Sequence, residues 1–174
     1  MEKKIIMGVD PGTRITGYGI LHIENSRYTP LDFGCIRPPP TLPLSERYLI
    51  IFEGIEALLH KYQPTAIAVE SQFIKKNAQS AIKLGMAKGM IILAAARKSI
   101  PIFEYAPRAA KLAVAGNGRA DKLQVQRMIQ VILGLSSLPT PEDAADGLAL
   151  AICHAHHEKN LSLFPPRNRY VRTS

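Results

Sequence analysis

Four carboxylates stand out by where they fall. Asp10 and Glu70 each close a short apolar run, residues 4–9 and 66–69. Each is therefore expected at the C-terminal end of a strand, where side chains emerge into the crevice beyond a sheet. Asp143 and Asp146 are three apart in a helical pattern expected to begin at Thr140-Pro141, which sets both on one face, one turn apart. Asp146 also interrupts an otherwise apolar run over residues 144–152. If that face packs toward the sheet, four carboxylates converge. Such a cluster repels itself and raises its own pKa values unless a cation compensates it, and hard oxygen donors without His or Cys suit Mg²⁺, with Mn²⁺ as a substitute. The chemistry this favours is two-metal phosphodiester hydrolysis, with two ions per site. Taken singly, each acid also has a structural reading: Asp10 as the start of an Asp-Pro-Gly turn, Glu70 as an edge-strand charge, and Asp143 as the far half of a capping box opened by Thr140.

The elements that must hold these groups follow from pattern and turn chemistry. Residues 4–9 read as a strand closed by Asp10-Pro11-Gly12-Thr13, and residues 15–23 and 28–36 as two more strands, the three forming an antiparallel meander. Pro38-Pro39-Pro40 then stops the sheet. From Ser45, the expected N-cap, Tyr48, Leu49, Phe52, Ile55, Leu58, Leu59 and Tyr62 recur at helical spacing, and Pro64 ends the run. A short strand over 66–69, a helix over 77–98, a strand over 100–103 and helices over 108–115, 121–133 and 141–157 complete the order. This predicts an α/β fold, a mixed sheet with helices packed on its faces.

The chain has 174 residues, and its 47% apolar and 21% charged composition is that of one globular domain, read here as residues 1–158 with a loose basic tail over 159–174. No apolar run is long enough to span a membrane and the start lacks the form of a signal peptide, which predicts a soluble cytoplasmic protein. Cys35 and Cys153 lack metal-site or disulfide spacing and read as buried thiols. His154, His156 and His157 read as a polar helix end. The net charge is +8, and residues 75–127 alone hold eleven bases against two acids. A band so lopsided points to a polyanion, with nucleic acid first. Residues 128–157 carry Glu142, Asp143 and Asp146 and no Lys or Arg.

Gly8-Val9-Asp10-Pro11-Gly12-Thr13-Arg14-Ile15-Thr16-Gly17-Tyr18-Gly19, Val69-Glu70-Ser71-Gln72-Phe73 and Asp143-Ala144-Ala145-Asp146-Gly147-Leu148-Ala149 resemble the three acidic motifs of the RuvC Holliday-junction resolvases. The likeness extends over about residues 4–157, through Ser80-Ala81-Ile82-Lys83-Leu84-Gly85, Phe103-Glu104-Tyr105 and the segment from Gly116 to Val125. It implies a ribonuclease H-like fold with a five-stranded sheet, a homodimer, and Mg²⁺-dependent cutting of two opposed strands of four-way junction DNA. Its acidic positions fall on Asp10, Glu70, Asp143 and Asp146, and its basic positions near DNA on Lys111 and Lys122. Phe73 matches an aromatic that stacks on an unpaired base at the crossover. The family also implies a branch-migration complex of the RuvA and RuvB type as partner. Gly147 stands where many relatives carry Ala, a departure expected only to weaken the helix slightly. Gly85 and Gly89 mark the helix over 77–98 as the dimer-interface candidate.

Other functions compete. Asp-x-Gly-Thr after a first strand also resembles the phosphate loop of actin-like and sugar-kinase ATPases, but these need a second such loop, and Asp32-Phe33-Gly34 comes too soon and lacks the Ser or Thr. An RNA-cutting nuclease on the same core and a junction-binding module without activity remain as alternatives. Retention of all four acids argues against the module, since a purely electrostatic binder gains affinity by losing them.

Overall fold

The computed structural model describes residues 4–71 and 77–163. Five strands, β1 (Lys4–Asp10), β2 (Thr16–Glu24), β3 (Arg27–Ile36), β4 (Ala66–Glu70) and β5 (Ile102–Tyr105), form one sheet in the order β3-β2-β1-β4-β5. The meander β1-β2-β3 is antiparallel, while β4 and β5 extend it in parallel with β1. The mixed sheet predicted from sequence is present, with helices α1 (Leu44–Tyr62), α2 (Ala78–Arg97), α3 (Pro107–Ala115), α4 (Lys122–Leu133) and α5 (Glu142–Leu163).

The sheet is sandwiched between two apolar layers. Ile5, Met7 and Val9 of β1 pack with α1 and α2, and Ile6, one residue out of step, packs with α3, α4 and α5. A central strand covered on both sides needs apolar residues at every position, which is why β1 reads as an unbroken run rather than an alternation. In α1 the buried Tyr48, Ile51, Ile55 and Leu59 follow helical spacing. Helix ends are set locally: Asn77 caps α2 by accepting from the Gln79 and Ser80 amides, Asp121 and Gln124 form a reciprocal capping box on α4, and Gly116 and Gly134 end α3 and α4 in the left-handed conformation.

Four local expectations are corrected. α1 begins at Leu44 after Pro43, with no side-chain cap, so Ser45 lies inside the helix. β5 starts two residues late, because the Ile100 amide donates to the Ala95 carbonyl to close α2 and Pro101 serves only as an acceptor for the Ile67 amide. α5 runs through Leu163, into the segment read as a loose tail. Cys153 is buried, whereas Cys35 is only half-buried.

Candidate active site

Side-chain parity places the first two carboxylates. On β1, Asp10 shares the face of Ile6 and Gly8, and on β4, Glu70 shares the face of Ala68. That is the face covered by α5, so both acids leave their strand ends on the side where Asp143 and Asp146 enter, in the first turns of that helix.

Glycines let the helix come down onto the strands. A Cβ on Gly17, the register partner of Asp10, would lie 1.8 Å from the carbonyl oxygen of Asp143, and one on Gly8 would lie 2.0 Å from that of Gly147. No side chain fits in either place, so backbone meets backbone and Asp143 is seated directly across from the end of β1. Gly147 belongs to the same contact: a Cβ there would lie 2.5 Å from the Tyr18 carbonyl carbon. Its missing methyl is thus part of the helix–sheet approach, beyond the small loss of helix propensity expected from sequence.

The loop after Asp10 is tied down as well. Gly12 and the fully buried Thr16 close it, the Thr16 hydroxyl donating to the Gly12 carbonyl at 2.9 Å. Arg47 of α1 donates to the Thr13 carbonyl.

Electrostatics report the convergence. The Asp10 carboxyl is pushed up to about 8, first by burial and then by Glu70, Asp146 and Asp143, with Lys122 opposing. Asp146 is raised by burial, opposed by Lys122 and Lys111, with Asp143 and Glu142 adding to the rise. Glu70, Lys111, Lys122 and Asp146 line one cleft, floored by Val125, Ala149 and Leu150. Lys122 Nζ donates to Glu142 Oε2 at 2.8 Å, which raises the lysine's pKa. The half-buried Cys35 lies beside the same helix start, its thiol pushed up chiefly by burial and also by Asp143.

Six of the seven residues singled out from sequence, Asp10, Glu70, Asp143, Asp146, Lys111 and Lys122, are thus gathered at one end of the sheet, and Phe73 lies outside the described residues. Sequence reasoning missed Glu142 as the partner of Lys122, Arg47 as the tie on the loop, and Thr16. Only Glu142, next to Asp143 in the acidic segment, carried a visible signal. The histidine reading is also corrected: His154 is wholly buried.

Among the described residues, no group of three or more His, Cys, Asp or Glu side chains is drawn tightly enough together to hold a metal ion unaided. Mg²⁺ does not require such a cage, since it keeps several waters and takes one or two carboxylates plus phosphate oxygens. The Asp10 carboxyl is raised to about 8 first by burial and then by the neighbouring acids, and a bound cation would offset both effects. The oxygen-only donor set fits a hard divalent ion.

Residues 6–154 match the family described as Crossover junction endodeoxyribonuclease RuvC. Among similar proteins, the Crossover junction endodeoxyribonuclease RuvC of Protochlamydia amoebophila is 62% identical over 87% of this chain and 90% of its own. That of Desulfitobacterium hafniense is 47% identical over 87% and 92%. Among solved structures, T. thermophilus RuvC in complex with Holliday junction substrate superposes with a TM-score of 0.86 at 34% identity, covering 90% of this chain and 96% of that one.

Proposed function

Because the chain belongs to the RuvC family of crossover junction endodeoxyribonucleases, and so is itself a junction-cutting nuclease with a ribonuclease H-like fold, we propose that the acid-lined end of its sheet is where it cuts four-way DNA. The observation that carries this reading is the cleft lined by Glu70, Asp146, Lys111 and Lys122, with Asp143 brought by close glycine contacts onto the register partner of Asp10. Those four residues would hold two Mg²⁺ ions, with Mn²⁺ as a substitute. Bound there, the ions supply Lewis acidity toward the scissile phosphate and lower the pKa of an attacking water.

The chain's own residues do the rest. Lys111 and Lys122, beside Glu70 and Asp146 in the cleft, draw the phosphate to the carboxylates and offset their repulsion. The basic band over residues 75–127 neutralises phosphates of the other arms, so that binding is strong and salt-dependent. Phe73, three residues beyond Glu70, stacks on an unpaired base at the crossover.

A homodimer supplies the second cut. On α2 the positions of Gly85 and Gly89 face open space, and Ile82, Met86 and Leu93 beside them are 63%, 49% and 50% exposed. An apolar stripe with small residues at helical spacing suits close approach of a second copy about a two-fold axis, which sets two sites on opposed strands. T. thermophilus RuvC is solved with a Holliday junction, and the same substrate is assigned here, with a RuvA and RuvB type complex as the branch-migration partner. Among the described residues no helix is long and apolar enough to cross a membrane, and the working compartment is the cytoplasm with its DNA. The nuclease unit, read from sequence as residues 1–158, takes in the rest of α5 to Leu163, with the remainder as a basic extension.

The test is cleavage of end-labelled four-way junctions beside linear duplex and RNA–DNA hybrid, with and without Mg²⁺. Paired, Mg²⁺-dependent nicks confined to the junction are expected. Cutting of the hybrid in preference to the junction, or binding without cutting, contradicts the reading.

A further inference from the structure

His154 sits wholly buried on α5, about two turns beyond Asp146, in a stretch otherwise built of Ala, Leu, Ile and Cys. A polar ring placed there costs stability unless its nitrogens find partners. Nδ1 stands 2.7 Å from the Tyr105 hydroxyl, and the ring lies against Phe103 with centroids 4.3 Å apart. Nε2 lies 3.5 Å from Glu158 Oε1 without a hydrogen bond to it, and Lys4 pairs with the other Glu158 oxygen at 2.5 Å. Burial lowers the His154 pKa, with Glu158 opposing and Lys4 and His157 adding to the fall, which favours the neutral ring. The contact of Nδ1 with Tyr105 is thus the one hydrogen bond the ring makes among the described residues, and the neutral ring with its proton on Nε2 accepts there from the Tyr105 O–H.

Tyr105 is also the residue that holds the end of β4. The pairing of β1 with β4 stops at Val9 and Val69, one residue short of Glu70. Glu70 is paired with Tyr105 instead, and the Ser71 amide donates to the Tyr105 carbonyl at 2.8 Å. The strand end carrying Glu70 is therefore held by β5, a four-residue strand that forms the edge of the sheet among the described residues. A short edge strand defines position only as well as it is itself anchored.

We propose that the Tyr105–His154 hydrogen bond is a positioning brace, tying β5 and the Glu70 end of β4 to the helix that carries Asp143 and Asp146. The glycine contacts fix α5 over β1 and β2, which sets Asp10 against Asp143. The brace fixes the remaining separation, that of Glu70 from the α5 acids. His154 and Tyr105 touch neither substrate nor ion and act only through Glu70, so the inference rests on the reading of Glu70 as a ligand.

The test compares Tyr105→Phe, His154→Ala, His154→Asn and the double variant Tyr105→Phe/His154→Ala with the parent and with Glu70→Gln. Each is measured for cleavage rate at saturating junction against Mg²⁺ concentration, for junction binding in EDTA and for thermal unfolding. Tyr105→Phe and His154→Ala are expected to lower the cleavage rate about 10–100-fold and raise the Mg²⁺ requirement, the usual cost of losing a group that orients a ligand. Binding in EDTA is expected to be unchanged. His154→Asn, which keeps an acceptor near the Nδ1 position, should recover most of the loss, and the double variant should be no worse than the weaker single one. Cleavage by Tyr105→Phe within twofold of the parent, additive losses, or failure of His154→Asn to recover activity overturns the brace, provided that Glu70→Gln is inactive. An active Glu70→Gln overturns the ligand reading and the brace together.

Discussion

An aspartate that keeps its proton to about pH 8 makes folding and pH interdependent. The unfolded Asp10 titrates near 3.8, so the folded state binds its proton more tightly. Its contribution to stability is full below the unfolded value and is lost as pH rises through about 8. At about 1.4 kcal/mol per pKa unit, the change is on the order of 6 kcal/mol. Metal-free protein in EDTA is therefore expected to lose thermal stability between pH 5 and 8.5, and Asp10→Asn to flatten that slope. Adding Mg²⁺ at pH 8 should stabilise the parent more than the variant. Parallel melting curves for the two proteins would show that Asp10 is not in the proton-binding state assigned to it. Lys122 works in the opposite direction, lowering the pKa of both Asp10 and Asp146. Lys122→Ala should accordingly lose more cleavage at pH 7 than at pH 9, and should reduce the salt slope of junction binding by about 0.9. An unshifted pH profile would remove Lys122 from the site's charge balance.

At the level of elements, the chain announced most of what holds the site. Apolar runs ending in turn residues gave away β1 and β4, and helical spacing gave away α1 and the acidic start of α5, so the placement of Asp10, Glu70, Asp143 and Asp146 was legible. What was not legible depends on partners distant in sequence. Ile100 and Pro101 look like strand, yet they are used to close α2 and to accept from Ile67. His154 read from sequence as part of a polar helix end, and nothing in the periodicity shows that it is buried or that its partner is Tyr105, 49 residues earlier. Gly8, Gly17 and Gly147 show no role until the helix is laid on the strands. Gly17→Ala tests that contact, since the added methyl overlaps the Asp143 carbonyl oxygen and must push the start of α5 away from Asp10. A loss of about 1–3 kcal/mol of stability is expected from such overpacking, measured by denaturant unfolding, together with a loss of cleavage at least tenfold. Parent-like cleavage would mean that the helix approach does not set the carboxylates.

For the whole molecule, the described residues of one protomer hold one such carboxylate cluster, and cutting a four-way junction in two strands calls for two, which is the argument for the proposed homodimer. The exposed stripe Ile82, Met86 and Leu93 on α2 lies on the α1–α2 face of the sheet, away from the layer that contains α5. A dimer formed there leaves both clefts free for DNA. Met86→Glu with Leu93→Glu is expected to shift the protein from dimer to monomer in sedimentation equilibrium and to replace paired nicks by slow single ones. A variant that stays dimeric would move the interface elsewhere.

In the proposed division of labour the four carboxylates cut and the basic surface binds. That division is tested most directly by measuring junction affinity and cleavage side by side for the parent, Asp10→Asn and Glu70→Gln in Mg²⁺. Both variants are expected to lose cleavage by several orders of magnitude while binding the junction as tightly as the parent or tighter, because each substitution removes a ligand and a repelling charge together. Nicking by either variant at a rate comparable to the parent would show that its carboxylate does not hold the metal.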